Sequence, residues 1–542
     1  MAQDEGLQSS KKNVQDLALA ETAIPTTETS AANLDDAHVP HLVRLRLLMG
    51  GACLAAFLVG LDQTIITTAI PRITDDFHSP EDVGWYGSAY LLSSCAFQPV
   101  YGQVYKQFNV RNAYFFALAA FLLGSLICAV APTSTALVIG RAFAGLGCAG
   151  VLTGNLSMVA ISAPLQKRPI YISMLGTIFG IGLVCGPIIG GTLTSQVSWR
   201  WCFWINLPVG ALTIVCIIVL FRPAKHTSDN SSLRGRIASL DLFGSLLAIA
   251  VTVMLLLALQ WGGVTFPWSH PTMIGLLVGS GAGALIFVLW QYHRGTEALM
   301  PLKIVCHRTV ASTVASAFFQ SGATFVAIFY LPYWFQVVKD ASPVDSGVDM
   351  IPWMVSNFLS ATATSVVVTK TGSFNPPLIA GLAIATIGSG LFTTVFDEYS
   401  TGRWIGFEIL SGAGLGAARQ QYFLAVQAVL PSSSISIGIA LVLFSQNLAG
   451  AIFVSVSNSL IRNRVSSSLS QWHISGVDGA AILTSGTTSL VNAVPHDQLP
   501  MLIRLFNRAL QDVFILSIPL VGLALVCSLP MEWKNLRRQH TE

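Results

Sequence analysis

Long apolar segments separated by short polar stretches dominate this chain and restrict what it can fold into. Because the hydrocarbon core of a bilayer is about 30 Å thick, a membrane-crossing helix needs about 20 mostly apolar residues. Fourteen segments meet this requirement, at roughly 45–70, 83–104, 112–131, 135–162, 170–193, 201–221, 240–260, 271–290, 310–336, 348–369, 376–395, 403–429, 434–461 and 511–529. Only 10% of the residues are charged, whereas soluble domains carry about 25%. The sequence therefore predicts an all-α polytopic membrane protein.

Basic residues indicate which loops face the cytoplasm. An even number of spans places both termini on the same side of the membrane. If that side is the inside, nineteen of the 29 Lys and Arg residues fall in inner segments and eight in outer ones. Cytoplasmic loops carry such an excess, so both termini are predicted to be cytoplasmic. The net charge of +3 and the lack of a basic tract argue against nucleic-acid binding.

Shifts in composition divide the chain into regions. The predicted regions are a disordered cytoplasmic N-terminus (1–43), a first six-helix bundle (44–221), a polar basic linker (222–239), two inserted spans (240–292), a second six-helix bundle (293–530) with a long outer loop (462–510), and a cytoplasmic tail (531–542). The residues before the first span lack the apolar core of a cleavable signal peptide. The first span is therefore expected to act as the insertion signal.

The segment GIGLVCGPIIGG at 180–191 carries glycines at a spacing that has structural consequences in a helix. Gly182, Gly186 and Gly190 are four residues apart and form a smooth stripe, with Gly191 beside it. In lipid, such a stripe lets a neighbouring helix backbone come close. Pro187 removes one helical hydrogen bond and favours a local kink. This helix is predicted to serve where two helix bundles must both pack closely and move.

Charged residues inside the predicted first and fourth spans are the first candidates for chemistry. Asp62 and Arg141 each lie within an apolar segment, where a charge is costly and usually faces a cavity or a partner. Asp62 is interpreted as a reversible proton carrier, or else as a helix-end acid that reaches the lipid headgroups or caps a local kink. Because arginine keeps its proton, Arg141 is interpreted as a fixed charge beside a cavity, or else as a structural arginine.

Two more charges lie in the predicted twelfth span, in RWIGFEILSGAGLGAARQQ. Glu408 is interpreted as a second proton site or a contact for a cationic substrate, with a purely structural acid as the alternative. Arg419 lies near the end of the span, where a long side chain can extend to the interface.

Aromatic and amide side chains accompany these charges and could line a cavity for amphipathic organic molecules. The candidates for such a cavity are Gln98, Gln320, Phe325, Tyr330, Trp353, Asn357 and Gln446. For each aromatic residue, packing or anchoring at the membrane interface is the competing interpretation.

Several catalytic patterns are missing from the sequence. It contains no GxxxxGK[ST] loop for ATP, no HExxH and no GxSxG. The nine cysteines form no CxxC pair or Cys/His cluster, and most lie within apolar segments. The sequence therefore predicts no enzyme, no cofactor and no metal site.

These segments resemble the major facilitator superfamily, and within it the fourteen-span drug:proton antiporters of the fungal toxin and multidrug efflux branch. The resemblance covers about residues 43–530. The stretch at 180–191 fits the antiporter signature GxxxGPxxGG, and WRWCFWINLPVG at 199–210 resembles a hallmark of the branch. LDQTIITTAIPRI at 61–73 and LVIGRAFAGLG at 137–147 resemble the motifs that carry the acid of the first span and the arginine of the fourth.

One motif departs from the family pattern. The loop after the second span reads GQVYKQFNVRN, in which Lys106 replaces the acid and Asn109 the second glycine, while Gly102 remains. A charge relay through that acid is therefore not expected here, although Lys106 and Arg111 keep the loop basic.

Membership in this family implies alternating access of two bundles around a central cavity. It implies export of a small amphipathic compound in exchange for protons, by a monomer surrounded by lipid in the plasma membrane, with the vacuolar membrane as an alternative. Two other functions stay open on the sequence: proton-coupled import of a siderophore or organic acid, and a membrane sensor that transports nothing.

Overall fold

The computed structural model describes residues 40–79, 82–221, 240–263, 265–394, 400–472 and 499–537. The chain forms two compact units, Met1–Leu47 and Leu48–Glu542. In the first unit the described residues begin a helix at Pro40. The predicted linker at 222–239, most of the predicted disordered N-terminus and the last five residues of the tail lie outside the described residues.

The described residues are helical almost throughout. The helices of the first half are α1 (Pro40–Ile65), α2 (Ile70–Phe77), α3 (Val83–Gln107), α4 (Val110–Ala129), α5 (Ser134–Ser162), α6 (Arg168–Gln196), α7 (Trp201–Trp204) and α8 (Asn206–Leu220). Two further helices follow, α9 (Leu242–Trp261) and α10 (Pro271–Arg294). The second half contains α11 (Leu302–Val305), α12 (Arg308–Val338), α13 (Pro343–Asp349), α14 (Ile351–Thr371), α15 (Asn375–Phe392), α16 (Thr401–Arg419), α17 (Gln421–Val429), α18 (Ile435–Trp472) and α19 (Leu499–Ser528).

Every predicted span overlaps a helix, and twelve helices among the described residues are long and apolar enough to cross a membrane. The two other long helices are α3 and α16, with 25 and 19 residues. They are less apolar because α3 carries glutamines and serines, and α16 carries Glu408 and two arginines. The count of fourteen spans depends on these two helices.

Helix ends differ from the sequence-based boundaries in the second half. Helix α18 continues to Trp472 and α19 begins at Leu499, so helix occupies both ends of the predicted outer loop at 462–510. Residues 462–472 contain no Gly or Pro that would end the helix. Residues 473–498 lie outside the described residues.

The two halves use the same close packing of glycine-bearing helices. A Cβ on Gly145 of α5 would collide with the carbonyl oxygen of Tyr90 in α3, and one on Gly147 with the backbone of α4. In the second half, Gly412 and Gly414 of α16 meet the backbones of α14 and α15 in the same way. Helix α16 in the second half therefore corresponds to α5 in the first.

Described hydrogen bonds join the two halves at the end predicted to face the cytoplasm. Ser436 Oγ donates to the carbonyl oxygen of Gly102 at 3.1 Å, and Ser173 Oγ donates to Thr362 Oγ1 at 3.3 Å. A Cβ on Gly102 would lie 2.8 Å from that of Ala440 in α18. The glycine that survives in the degenerate loop motif thus allows α3 to pack against the second half.

Candidate functional site

Asp62 and Arg141 form an ion pair in the interior of the first half. Arg141 Nη1 lies 2.7 Å from Asp62 Oδ2, and both side chains are at most 1% exposed. Arg141 Nε also donates to the carbonyl oxygen of Tyr86 at 2.9 Å. Helices α1 and α5 position these groups 79 residues apart in sequence. The two charges predicted as separate candidates therefore form one site.

Asn206 completes this site and was not predicted from the sequence. Its Nδ2 atom donates to Asp62 Oδ1 at 2.9 Å and to Ser125 Oγ at 3.1 Å. Each oxygen of Asp62 therefore accepts a hydrogen bond from a different helix. The available signal was the position of Asn206 within WRWCFWINLPVG, where an amide lies in an apolar run.

Aromatic and apolar residues enclose the ion pair. The guanidinium carbon of Arg141 lies 4.4 Å from the centre of the Tyr90 ring and 6.0 Å from that of Phe203. Leu61 and Ile65 are buried with Phe203 in one apolar cluster. Removing one member of such a pair leaves an uncompensated buried charge, which costs about 3–5 kcal/mol.

The segment WRWCFWINLPVG at 199–210, called the hallmark segment below, also joins several elements at the predicted outer end of the first half. Trp199 Nε1 donates to Asp76 Oδ2 at 2.7 Å, and the Arg200 guanidinium stacks 4.3 Å from the Trp199 ring centre. Arg200 Nη2 donates to the carbonyl oxygen of Ala131 at 2.9 Å. The segment thus connects α2, the α4–α5 turn and, through Asn206, the ion pair.

The glycine stripe of α6 packs against α1 of the same half. Added side chains at Gly182, Gly186 and Gly190 would collide with the backbone or threonines of α1 and of the 3₁₀ turn that follows it, between Phe57 and Thr68. Gly191 is less confined, since its added Cβ would meet only Thr68 at 3.9 Å. The stripe thus makes a close helix contact on both sides of Asp62, but its partner lies in the same half and not in the opposite bundle.

Thr64 satisfies a carbonyl group that Pro187 leaves without its helical partner. Proline has no N–H to donate to the carbonyl oxygen four residues earlier, which here belongs to Leu183. Thr64 Oγ1 donates to this oxygen at 2.8 Å. The added Cβ of Gly186 would collide with the same hydroxyl, so the glycine makes room for the bond.

A different face of α6 contacts the second half. An added side chain at Gly176 would collide with Gln420, and one at Gly180 with the ring of Phe358. Helix α6 therefore packs between α1 on one side and the second half on the other. The glycines of the signature serve the first contact, and the two preceding glycines serve the second.

Glu408 lies apart from the ion pair, buried in α16 of the second half. Among the described residues, neither carboxylate oxygen has a side-chain hydrogen-bond partner. The backbone of Trp353 and the charges of Lys339 and Asp349 act on it. Lys339 pairs with Asp349 at 3.9 Å and lies 4.2 Å from the ring centre of Trp404, one turn from Glu408.

The other candidates for a substrate cavity are distributed over both halves. Gln98, Gln320, Trp353, Asn357 and Gln446 are at most 6% exposed. Gln98 donates to Thr153 Oγ1 at 2.6 Å, and Asn357 donates to the carbonyl oxygen of Gly412 at 3.2 Å, so these two amides join helices within their own halves.

Phe325 and Tyr330 lie on α12 and contact α18. The Phe325 ring packs against Gly450, and Tyr330 donates to the carbonyl oxygen of Val454 at 3.0 Å. These contacts fit a packing role for the two residues as well as a role in binding.

Arg419 is the last residue of α16 and is half-buried.

Comparisons with known proteins agree with this fold. The family model described as Major Facilitator Superfamily matches residues 52–454. The chain is 40% identical over 518 residues to "MFS-type efflux pump MFS1" of Arthroderma benhamiae, covering 95% of this chain and 96% of that protein. It is 40% identical over 488 residues to "Efflux pump roqT" of Penicillium rubens, covering 90% of each. It is 39% identical over 497 residues to "Efflux pump aflT" of Aspergillus parasiticus, covering 92% of this chain and 97% of that protein.

Solved structures show the same fold at low sequence identity. The proton:xylose symporter XylE bound to 6-bromo-6-deoxy-D-glucose aligns with a TM-score of 0.58 and 15% identity, over 88% of this chain and 95% of that one. The human organic anion transporter MFSD10 aligns with a TM-score of 0.57 and 12% identity, over 88% and 99%.

Proposed function

The chain belongs to the Major Facilitator Superfamily, and from this premise we propose that it exports small amphipathic organic compounds in exchange for protons by alternating access. The chain is a membrane transporter and not an enzyme. The substrates proposed are toxins, drugs or secondary metabolites.

The observation that carries this proposal is the similarity to fungal efflux pumps along nearly the whole chain. The relatives named as efflux pumps share 39–40% identity over at least 90% of this chain. Because relatives named as efflux pumps match nearly the whole chain, the same direction of transport is proposed here.

Two buried acids support proton coupling. Asp62 is held by a fixed positive charge and an amide, whereas Glu408 has no side-chain partner among the described residues. We assign the coupling proton to these two acids, with Arg141 setting the field at Asp62. Inward movement of one proton releases about 2.3 kcal/mol per 100 mV of membrane potential, which is available to drive export.

The arrangement of the halves supports alternating access. They meet through Ser173, Gly176 and Gly180 of α6 and through Gly102 of α3, all nearer the predicted cytoplasmic end. We propose that these contacts open while the glycine-lined contact of α6 with α1 persists. We further propose fourteen spans, including α3 and α16, cytoplasmic termini, a monomer, and residence in the plasma membrane, with the vacuolar membrane as alternative.

Everted membrane vesicles provide the test of this function. Acidification of the lumen should drive accumulation of a fluorescent amphipathic probe such as rhodamine 6G, and vesicles from cells lacking the protein should not accumulate it. Accumulation that requires an alkaline lumen would instead support a proton-coupled importer of a siderophore or organic acid. Absence of transport for a panel of amphipathic probes and secreted metabolites would argue for a membrane sensor.

A further inference from the structure

We propose that Asn206 is a positioning residue that responds to the protonation state of Asp62. This inference rests on the proposed proton-coupled export. Asn206 is 0% exposed at the start of α8 and joins Asp62 of α1 to Ser125 of α4. It lies in the hallmark segment WRWCFWINLPVG, whose resemblance to a motif does not by itself explain why an amide is needed at this position.

Each oxygen of the carboxylate accepts a hydrogen bond from a different donor. Arg141 Nη1 donates to Asp62 Oδ2, and one N–H of Asn206 donates to Asp62 Oδ1. The second N–H of Asn206 donates to Ser125 Oγ. An ionised carboxylate is a pure acceptor, so this arrangement suits the charged form of Asp62.

Protonation of Asp62 makes this arrangement unsuitable. A carboxylic acid must donate its O–H, but both of its oxygens face donors. The Asn206 Oδ1 atom is buried and has no partner among the described residues. Rotation of the Asn206 amide by half a turn presents this oxygen to Asp62, where it can accept the new O–H.

Ser125 allows the amide to rotate without losing its second bond. A serine hydroxyl can accept or donate, so Ser125 accepts from the amide in one state and donates to Oδ1 in the other. Asp62 and Ser125 therefore each keep a hydrogen bond to Asn206 in both protonation states. Leucine has a similar volume but no polar group, and an ionised aspartate could not donate to Asp62.

Other titratable groups surround Asp62, and none duplicates this function. They are Arg141 and Cys148 of α5, Tyr90 of α3, Cys128 of α4 and Cys202 of α7. Arginine keeps its proton, and Arg141 bonds to the opposite oxygen of the carboxylate. Among the described side chains that hydrogen-bond to Asp62, only Asn206 carries both a donor and an acceptor on the same rotatable group.

The test compares Asn206→Leu with a matched variant at a second buried asparagine. Asn155 is 2% exposed in the same half and accepts from Tyr114 Oη at 2.8 Å, so Asn155→Leu controls for loss of a buried amide. Infrared spectra of the purified full chain, titrated with pH, report the protonated Asp62 carboxyl group as the band that Asp62→Asn removes. Proton-driven export of rhodamine 6G by the same proteins in liposomes is measured over the same pH range.

We expect Asn206→Leu to move the midpoint of the Asp62 band and of export to higher pH by about one to two units. This is the shift expected when a carboxylate loses one hydrogen bond. Asn155→Leu should leave both midpoints unchanged. A lower export rate with unchanged midpoints would give Asn206 a merely structural role and overturn the proposal. If Asn206→Leu shifts the Asp62 band but the wild-type protein shows no pH-driven export, the result would support the proposal for Asn206 and refute the proposed function.

Discussion

Glu408 occupies in the second half the position that Arg141 occupies in the first. Arg141 precedes Gly145 by four residues in RAFAGLG, and Glu408 precedes Gly412 by four in EILSGAG. Both glycines admit the backbone of the neighbouring helix, at Tyr90 and at Trp353 respectively. The same place in the repeated packing therefore carries a permanent cation in one half and a titratable acid in the other.

This correspondence leads us to expect different effects at the two sites. Glu408→Gln removes a charge that has no side-chain partner among the described residues, so the variant should fold with at least wild-type stability. It should lose pH-driven export while still exchanging labelled probe across liposomes at equal pH. Measuring both rates on one preparation separates coupling from transport, and unimpaired pH-driven export would exclude Glu408 as the coupling acid.

The Asp62–Arg141 pair should contribute to stability as well as coupling. Arg141→Ala leaves the Asp62 carboxylate buried beside Asn206 alone, and we expect a loss of about 3–5 kcal/mol. Thermal unfolding in detergent measures the effect. Arg464 pairs with Asp512 at 3.4 Å at exposed positions, so Arg464→Ala should cost no more than about 1 kcal/mol. Equal losses in the two variants would contradict this account of the pair.

The bond from Thr64 to Leu183 should matter only because of Pro187. Thr64→Val leaves a partly buried carbonyl oxygen without a partner, which costs up to about 1–3 kcal/mol. Pro187→Ala restores the N–H four residues later, so Thr64→Val should cost much less in that background. A double-mutant cycle followed by thermal unfolding checks this coupling. An identical cost in both backgrounds would show that Thr64 does not compensate for the proline.

The transport rate of a variant at a signature glycine should depend on the space beside that glycine. Gly186→Leu would drive a side chain into Thr64 of α1 and should block turnover, whereas Gly191→Ala has room and should transport at close to the wild-type rate. Probe export by equal amounts of inserted protein provides the measurement. Normal export by Gly186→Leu would show that turnover does not require close packing of α6 on α1.

The contact of α6 with the second half should open in each transport cycle. Ser173→Cys and Thr362→Cys, in a chain whose native cysteines are replaced, place thiols at positions whose hydroxyl oxygens are 3.3 Å apart. A short reducible cross-linker should abolish export, and reduction should restore it. Full export by the cross-linked protein would show that these contacts do not separate during transport.

The sequence predicted which residues are unusual better than it predicted their partners. Asp62, Arg141 and Glu408 were identifiable because charges in apolar segments are costly. Their pairing was not, because contacts over 79 residues depend on how helices pack. Asn206 and Thr64 were missed because a single amide or hydroxyl in an apolar run has many structural uses. The glycine spacing predicted a close contact of α6 where two bundles meet, but the partner of the stripe is α1 of the same half, which could be identified only in the folded chain.

Helix boundaries were predictable where a strong end signal was present. Pro271 begins α10, and Gly372 ends α14 with a positive φ of 77°. The extension of α18 to Trp472 was not predicted, because residues 462–472 are polar although they contain no helix-breaking residue. The length of an apolar run identifies the part of a helix that crosses the membrane, but the helix can continue into the polar residues that follow.

Proton movement driven by substrate is the strictest test of proton-coupled export. Purified protein is placed in liposomes that contain a pH-sensitive dye, without an initial pH gradient, and an outward gradient of rhodamine 6G is imposed. For protein whose cytoplasmic side faces the lumen, the account predicts acidification of the lumen as probe leaves, and loss of this signal in the Asp62→Asn, Glu408→Gln double variant. Probe efflux without any change in luminal pH, or with alkalinisation, would contradict proton-coupled export.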